Sequence, residues 1–229
     1  MIRSNLDAVM VSVQSVCRRV GRDPSSVTVV AVTKYTDAVL VNEALAAGIV
    51  HVAENRVQSA QEKFPLLQAG AGPVVKHLIG HLQTNKVRDA VQLFDLIHSV
   101  DSLKLAQEID KRAGAIGKVQ DILVQVDIAR EEQKFGLPEE TLEDFMNQVQ
   151  GLLHVRVLGL MCMAPLTKDK EIIRGVFHRL KGHFDRLKAQ YAGTPGIAMM
   201  HLSMGMSGDY EIAIEEGATM VRIGSAIFK

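Results

Sequence analysis

The sequence predicts an α/β fold, a single (β/α)8 TIM-type barrel with an extra N-terminal helix. Three observations carry that expectation. Short β-rich runs alternate with amphipathic stretches along the chain. Eight such runs can be counted, each pair separated by a helical pattern, as parallel strands joined by right-handed crossovers require. The rival, an open doubly wound sheet, is marked by a G-x-G-x-x-G loop after its first strand, and this chain has none there.

The elements follow in order. Residues Ile2 to Val20 are periodic and helical, with neither the apolar core nor the small-residue cleavage pattern of a signal peptide. Val27–Lys34, a near-continuous β-branched run, reads as a parallel strand covered on both faces. The further predicted strands are Ile49–Glu54, Lys76–Gly80, Leu96–Ser99, Asp121–Asp127, Val155–Met161, Ala198–Ser203 and Met220–Gly224. Between them lie helical patterns at Asp37–Ala47, Arg56–Gln68, Asn85–Val91, Ser102–Ala115, Glu139–Gln150, Lys168–Tyr191 and Gly208–Glu216. Gly48 and Gly217 follow apolar-periodic segments as helix C-caps do. Pro138 stands where a first helical turn tolerates it, with Glu139 and Glu140 complementing the dipole. The helix around Arg174 to Lys188 carries its charges on one face, as an outer barrel helix would. No linker, low-complexity run or charge block divides residues 1–229, so one domain is expected.

Composition narrows the function. At 229 residues the chain can bury a core without disulfide or metal support. Lys plus Arg (26) balance Asp plus Glu (26), which gives no reason to expect nucleic acid or an anionic membrane as partner. Cys17 and Cys162 are far apart and lack metal-ligand spacing. No apolar stretch is long enough to cross a bilayer. A cytoplasmic protein in a reducing compartment is the expectation.

Function in a barrel gathers at the C-terminal strand ends. Lys34 ends the first strand there, and a partly desolvated amine is a nucleophile able to condense with an aldehyde. A solvated strand-end lysine is the plain alternative. The loops after strands seven and eight, at 201–209 and 222–225, offer Gly, Ser and backbone N–H groups for a phosphate, although tight turns and N-caps would use the same residues. An amine facing a phosphate cradle suits an aldehyde tethered to a phosphate, and pyridoxal 5′-phosphate (PLP) is the leading cofactor that fits. His51, His77, His98 and His154 read as satisfied core or edge histidines, and Cys162 as a small core residue. The methionines of 161–163 and 199–206 read first as mouth packing and second as a soft apolar wall for a flat ring, and 130–134 as a solvated loop that could equally cover the mouth. No His/Cys/Glu constellation suggests a metal.

The motifs are specific. They comprise Ala31-Val32-Thr33-Lys34, Glu54-Asn55-Arg56-Val57-Gln58, the run from His77 to Lys86, Val100-Asp101-Ser102, and Gln125-Val126-Asp127 leading to Lys134-Phe135-Gly136. Gly159-Leu160-Met161, the run from Leu202 to Asp209, and the run from Val221 to Phe228 complete them. In this order they resemble the YggS/PROSC-type PLP homeostasis proteins, from about residue 27 to the end. The resemblance implies a barrel like the alanine racemase N-terminal domain, with PLP as an aldimine on Lys34. It further implies that Ser207, Gly224 and Ser225 hold the phosphate, that Arg222 faces the pyridine nitrogen, and that Asn55 lies beside the ring. Ser203, Met204 and His77 are implied walls. Ala53 stands where Gly is common, and Lys76 where an aromatic often precedes His. Both departures are peripheral and bear on the shape of the mouth, not on cofactor binding.

A permanently charged guanidinium at the pyridine nitrogen opposes its protonation and weakens the electron sink. Racemisation also needs a second acid/base, which alanine racemase-like enzymes take from a further β-domain and a partner subunit. The chain is expected to end after its eighth strand without such a domain. The first expectation is therefore a non-catalytic PLP carrier in intracellular PLP homeostasis, monomeric, with apo-enzymes as recipients. A low-activity fold-type III amino-acid racemase is the alternative, and a PLP-free barrel enzyme acting on a phosphorylated metabolite is the third.

Overall fold

Among the described residues nine β-strands form, each where the chain offers β-branched or long apolar side chains: β1 (Thr28–Val32), β2 (His51–Glu54), β3 (Val75–Leu78), β4 (Leu96–Val100), β5 (Gln120–Asp127), β6 (Leu137–Pro138), β7 (Val155–Met161), β8 (Ile197–Met206) and β9 (Met220–Ile223). The computed structural model describes residues 1–70, 72–129 and 135–229. The run Arg130-Glu131-Glu132-Gln133-Lys134, expected to be a loop, lies outside the described residues.

All strand pairs are parallel. Eight strands close a ring, β1-β2-β3-β4-β5-β7-β8-β9 and back to β1, while two-residue β6 lies beside β5. This is the expected (β/α)8 barrel, and each of the eight expected strands overlaps one of the ring. The register of the closing pair brings the two ends of the barrel motif set together. Thr28 stands opposite Met220 and Ala31 opposite Ile223, so the chain after β9 emerges beside the chain after β1.

The helices are α1 (Ile2–Arg19), α2 (Ala38–Ala46), α3 (Val57–Lys63), α4 (Val87–Leu93), α5 (Leu103–Gly114), α6 (Leu142–Val149), α7 (Lys170–Gln190), α8 (Tyr210–Glu215) and α9 (Ser225–Phe228). Gly48 and Gly217 cap α2 and α8 as expected, at φ 109° and 97°. The pattern is complete in both: the Gly N–H bonds the carbonyl of Leu45 or Ile214, and the next residue bonds that of Ala44 or Ala213. Pro138 differs from expectation. It belongs to β6, and a 3-10 turn at Glu139–Thr141 intervenes before α6.

Helix α1 buries Ile2, Leu6, Val9, Val13 and Val16 and packs on α2, α8 and α9. Polar contacts fix its position: Asn5 Nδ2 donates to Ile227 O (3.0 Å), and Arg22 just beyond the helix donates to Ile214 O (2.7 Å) and Ala218 O (2.8 Å). The charged face of α7 is spent on ion pairs, Arg174 with Glu215 and Glu216, Arg179 with Glu139, and Arg186 with Glu143. Most of the apolar core lies between the strands and these helices. A smaller cluster, Val30, Ala53, Leu96, Leu123, Leu158, Met161 and Met220, fills the barrel itself. Among the described residues no helix is long and apolar enough to cross a membrane, and no group of three metal-ligating side chains forms.

Two features were not expected. Strand β8 continues through Met206, so much of the run read as a loop is strand, and the short helix α9 begins at Ser225. Near the end of β8, Gly205 serves a close approach. Gly205 has φ 90°, and a Cβ there would lie 2.5 Å from Ala213 Cβ.

Candidate functional site

Strand β1 ends at Val32, and a turn closed by Thr36 N–H on Thr33 O (2.9 Å) carries Lys34 out over the C-terminal end of the barrel. The turn is braced from below. Buried Thr33 donates its hydroxyl to Glu54 Oε1 (2.6 Å), and Lys63 Nζ donates to Thr33 O (2.6 Å) and pairs with Glu54. Glu54 is fully buried, and its Oε2 has no partner among the described residues.

Lys34 itself is exposed, its Nζ 5.1 Å from the centroid of the Tyr35 ring. The desolvation expected of this amine is therefore not met. The reason is geometric, since the residue sits two positions past the strand, beyond the packed layer.

A cavity of about 330 Å³ opens beside Lys34. Its wall includes Tyr35, Ile79 and Met206, and five expected site residues: Lys34, Ser207, Arg222, Gly224 and Ser225. Ser207 Oγ accepts from the backbone N–H of Gly224 (3.2 Å) and of Ala226 (3.4 Å), and so stands where an anionic oxygen would be received. Gly224 has a close neighbour, since a Cβ there would approach Val32 O at 3.3 Å and Val32 Cβ at 3.4 Å. Its lack of one lets the start of α9 lie against β1.

Arg222 projects from β9 and is 3% exposed. It donates from Nη1 to Ser203 Oγ (2.7 Å) and from Nη2 to Cys162 O (2.9 Å). Burial lowers its pKa from the ordinary arginine value, an effect opposed by Cys162 and Asp209. Burial in turn raises the Asp209 carboxyl.

The remaining expected residues lie elsewhere. Asn55 lines a second, neighbouring cavity of about 680 Å³ with Arg56, Gly80, His81 and Phe135, not the first. Ser203 and Met204 do not line the first cavity either. A strand sends successive side chains to opposite faces. Ser203 accordingly points into the barrel towards Arg222, whereas Met204 is buried in the outer core against the helices. His77 also lies beneath the mouth, 1% exposed, between His51 and His98. His51, His77 and His98 find partners, as expected, in one another and in Ser203. Of the methionines, Met206 lines the cavity while Met161 fills the barrel interior. Met206 on the cavity wall fits the expected mouth packing, whereas sequence reasoning missed Tyr35 there and the Glu54–Lys63 pair. The pair leaves no local trace, because its members sit on different elements.

Residues 4–229 match the family described as "Alanine racemase, N-terminal domain". Fold and site thus define the class, a barrel of the alanine racemase N-terminal type. The chain is 39% identical over 223 residues to the "Pyridoxal phosphate homeostasis protein" of Aquifex aeolicus, covering 97% of this chain and 95% of that protein. The Escherichia coli K12 protein of the same name is 36% identical over 231 residues, with 99% and 95% covered. The chain belongs to the pyridoxal phosphate homeostasis protein family. A solved structure of PipY from Synechococcus elongatus PCC7942, with PLP bound, superposes with a TM-score of 0.86 at 34% identity over the whole of both chains. Alanine racemase of Clostridium difficile shares the fold, with a TM-score of 0.76 at 17% identity, and this chain covers 58% of it.

Proposed function

We propose that this chain binds PLP at the mouth cavity, tethered through Lys34, and serves as a cytoplasmic carrier in PLP homeostasis without substantial catalysis. One observation carries the reading: a lysine amine, a buried guanidinium and a Ser/Gly pocket of backbone N–H groups border one cavity. The residues fit the cofactor. Ser207 already occupies the N–H groups of Gly224 and Ala226 with a single oxygen, which is the chemistry a phosphate oxygen presents. PLP, when bound, supplies an aldehyde and an electron-accepting ring.

Lys34 Nζ adds to the aldehyde carbon to give a Schiff base with loss of one water, and the reverse hydrolysis releases the cofactor. Exposure of Lys34 favours that exchange. Gly224 and Ser225 hold the phosphate with Ser207, and Arg222 faces the pyridine nitrogen, where its fixed charge opposes ring protonation. Asn55, implied beside the ring, lines the neighbouring cavity instead and takes no part in this reading. Apo-enzymes are the recipients, and the protein acts as a monomer. A low-activity amino-acid racemase is the second reading, favoured by one observation, that Tyr35 lines the same cavity and offers a second acid/base.

Borohydride reduction of the PLP-loaded protein followed by peptide mass mapping tests the tether. Label confined to Lys34 is expected, whereas label on Lys63 or Lys229 would overturn the assignment. Lys34→Ala is expected to abolish the label and leave thermal stability within about 0.5 kcal/mol, because the side chain is exposed. Robust interconversion of D- and L-alanine would replace the carrier reading with the racemase.

A further inference from the structure

The interior of the barrel is crossed by a continuous file of polar side chains from its base to Arg222. His51, His77 and His98 stand on adjacent strands β2, β3 and β4. His51 Nδ1 lies 2.9 Å from His77 Nε2, and His77 Nδ1 lies 2.9 Å from His98 Nε2. His98 Nδ1 then lies 3.0 Å from Ser203 Oγ, the hydroxyl on which Arg222 Nη1 closes at 2.7 Å. Exposure falls along the file until His98 and Ser203 have none.

A guanidinium can only donate, and this asymmetry orders every bond behind it. Ser203 Oγ accepts from Arg222, so its own proton goes to His98 Nδ1. No other side chain meets that hydroxyl among the described residues. His98 must then carry its proton on Nε2 and donate to His77 Nδ1, and His77 must donate from Nε2 to His51 Nδ1. The reversed order would leave the buried Ser203 proton without an acceptor, at a cost an intact file avoids.

We propose that His98 and His77 are positioning residues for Arg222, holding it through Ser203 by a one-directional file of neutral histidines and so setting how its guanidinium meets the bound cofactor. The assignment rests on the PLP site proposed above, but the proton order is a property of the protein alone. Neutrality is consistent with the surroundings. Burial holds His77 down to about 3 and His98 well below the ordinary histidine value, with neighbouring charge adding to the effect at both. The groups facing the file are His201 of β8, Arg222 of β9 and the three histidines themselves; Asp121 of β5 acts on His201, and Cys162 and Asp209 on Arg222.

The test has two arms. Nitrogen-15 NMR of the cofactor-free wild type is expected to show His98 and His77 as Nε2–H tautomers that do not titrate between about pH 5.5 and about pH 8.5. An Nδ1–H tautomer at His98, or titration of either ring in that range, overturns the file. In the second arm, PLP-loaded His98→Phe is expected to release PLP with a roughly tenfold higher Kd and a displaced pH midpoint of its visible absorbance. His98→Asn, whose amide oxygen can replace Nδ1 as acceptor, is expected to restore most of both. Wild-type Kd and midpoint in a folded His98→Phe protein would show that the histidines only fill space, and would overturn the positioning role. Should wild type take up no PLP, the cofactor site falls, and the proton order is then judged by the first arm.

Discussion

Lys34 and Lys63 stand at the same barrel mouth in opposite circumstances. Lys34 is exposed beside a cavity, whereas Lys63 donates to Thr33 O and pairs with the fully buried Glu54 under the turn that carries Lys34. Removing one member of a buried pair strands the other charge, which typically costs about 3–5 kcal/mol. Lys63→Met is therefore expected to lower unfolding free energy by about 3 kcal/mol in urea melts, and the double variant Lys63→Met, Glu54→Gln to recover much of it. A single variant as stable as wild type would show that the turn needs no brace. At this scale Lys34 was legible in the sequence because an amine after a β-branched run is unusual. Glu54 and Lys63 were not, since a charge on a strand end and one on a helix announce no partnership until the helix packs back.

Strand alternation explains which neighbours share a site and which do not. The resemblance implied both Ser203 and Met204 as walls, yet β8 extends through both and separates them by its pleat. The glycines show the same dependence on context. Gly48 has φ 109° and open space within 4 Å of where a Cβ would stand, whereas at Gly159, φ 151°, that atom would sit 1.8 Å from His201 O of the paired strand. Gly48→Ala should cost about 1–2 kcal/mol, the strain of the backbone alone. Gly159→Ala should prevent β7 and β8 from pairing and abolish cooperative thermal unfolding. Comparable melting of the two variants would refute this distinction. Both helix-capping glycines were readable from the apolar periodicity before them, while Gly159 lies inside a strand pattern and gave no sign of the bulge it forms.

Across the whole molecule, the buried histidines tie stability to pH. The folded-state pKa of His77 lies at about 3 and that of His98 is also depressed, both below the unfolded value near 6.5. Below about pH 6.5 the unfolded chain takes up protons that the folded barrel refuses, so their contribution is full above that pH and declines as pH falls. Each histidine should cost roughly 1.4 kcal/mol of stability per pH unit below it, for His77 down to about 3. Urea melts between about pH 7.5 and about pH 5 will show the decline, and a flat profile would contradict it. His77→Phe should make the decline shallower by the share of one histidine, leaving that of His98.

Much of this protein was determined by its sequence alone. Period and composition specify eight strands, their helices and the barrel, because secondary structure follows local pattern and eight parallel βα units have one compact way to close. Lys34, Ser207, Arg222, Gly224 and Ser225 were legible in the motifs at the strand ends, and they border one cavity. Ring closure decided the rest. Pairing of β9 with β1 brings the last motif beside the first, the pleat turns Ser203 inward, and packing across the barrel lines up three histidines from separate strands. Such contacts depend on distances between residues far apart in the chain, and no local periodicity encodes them.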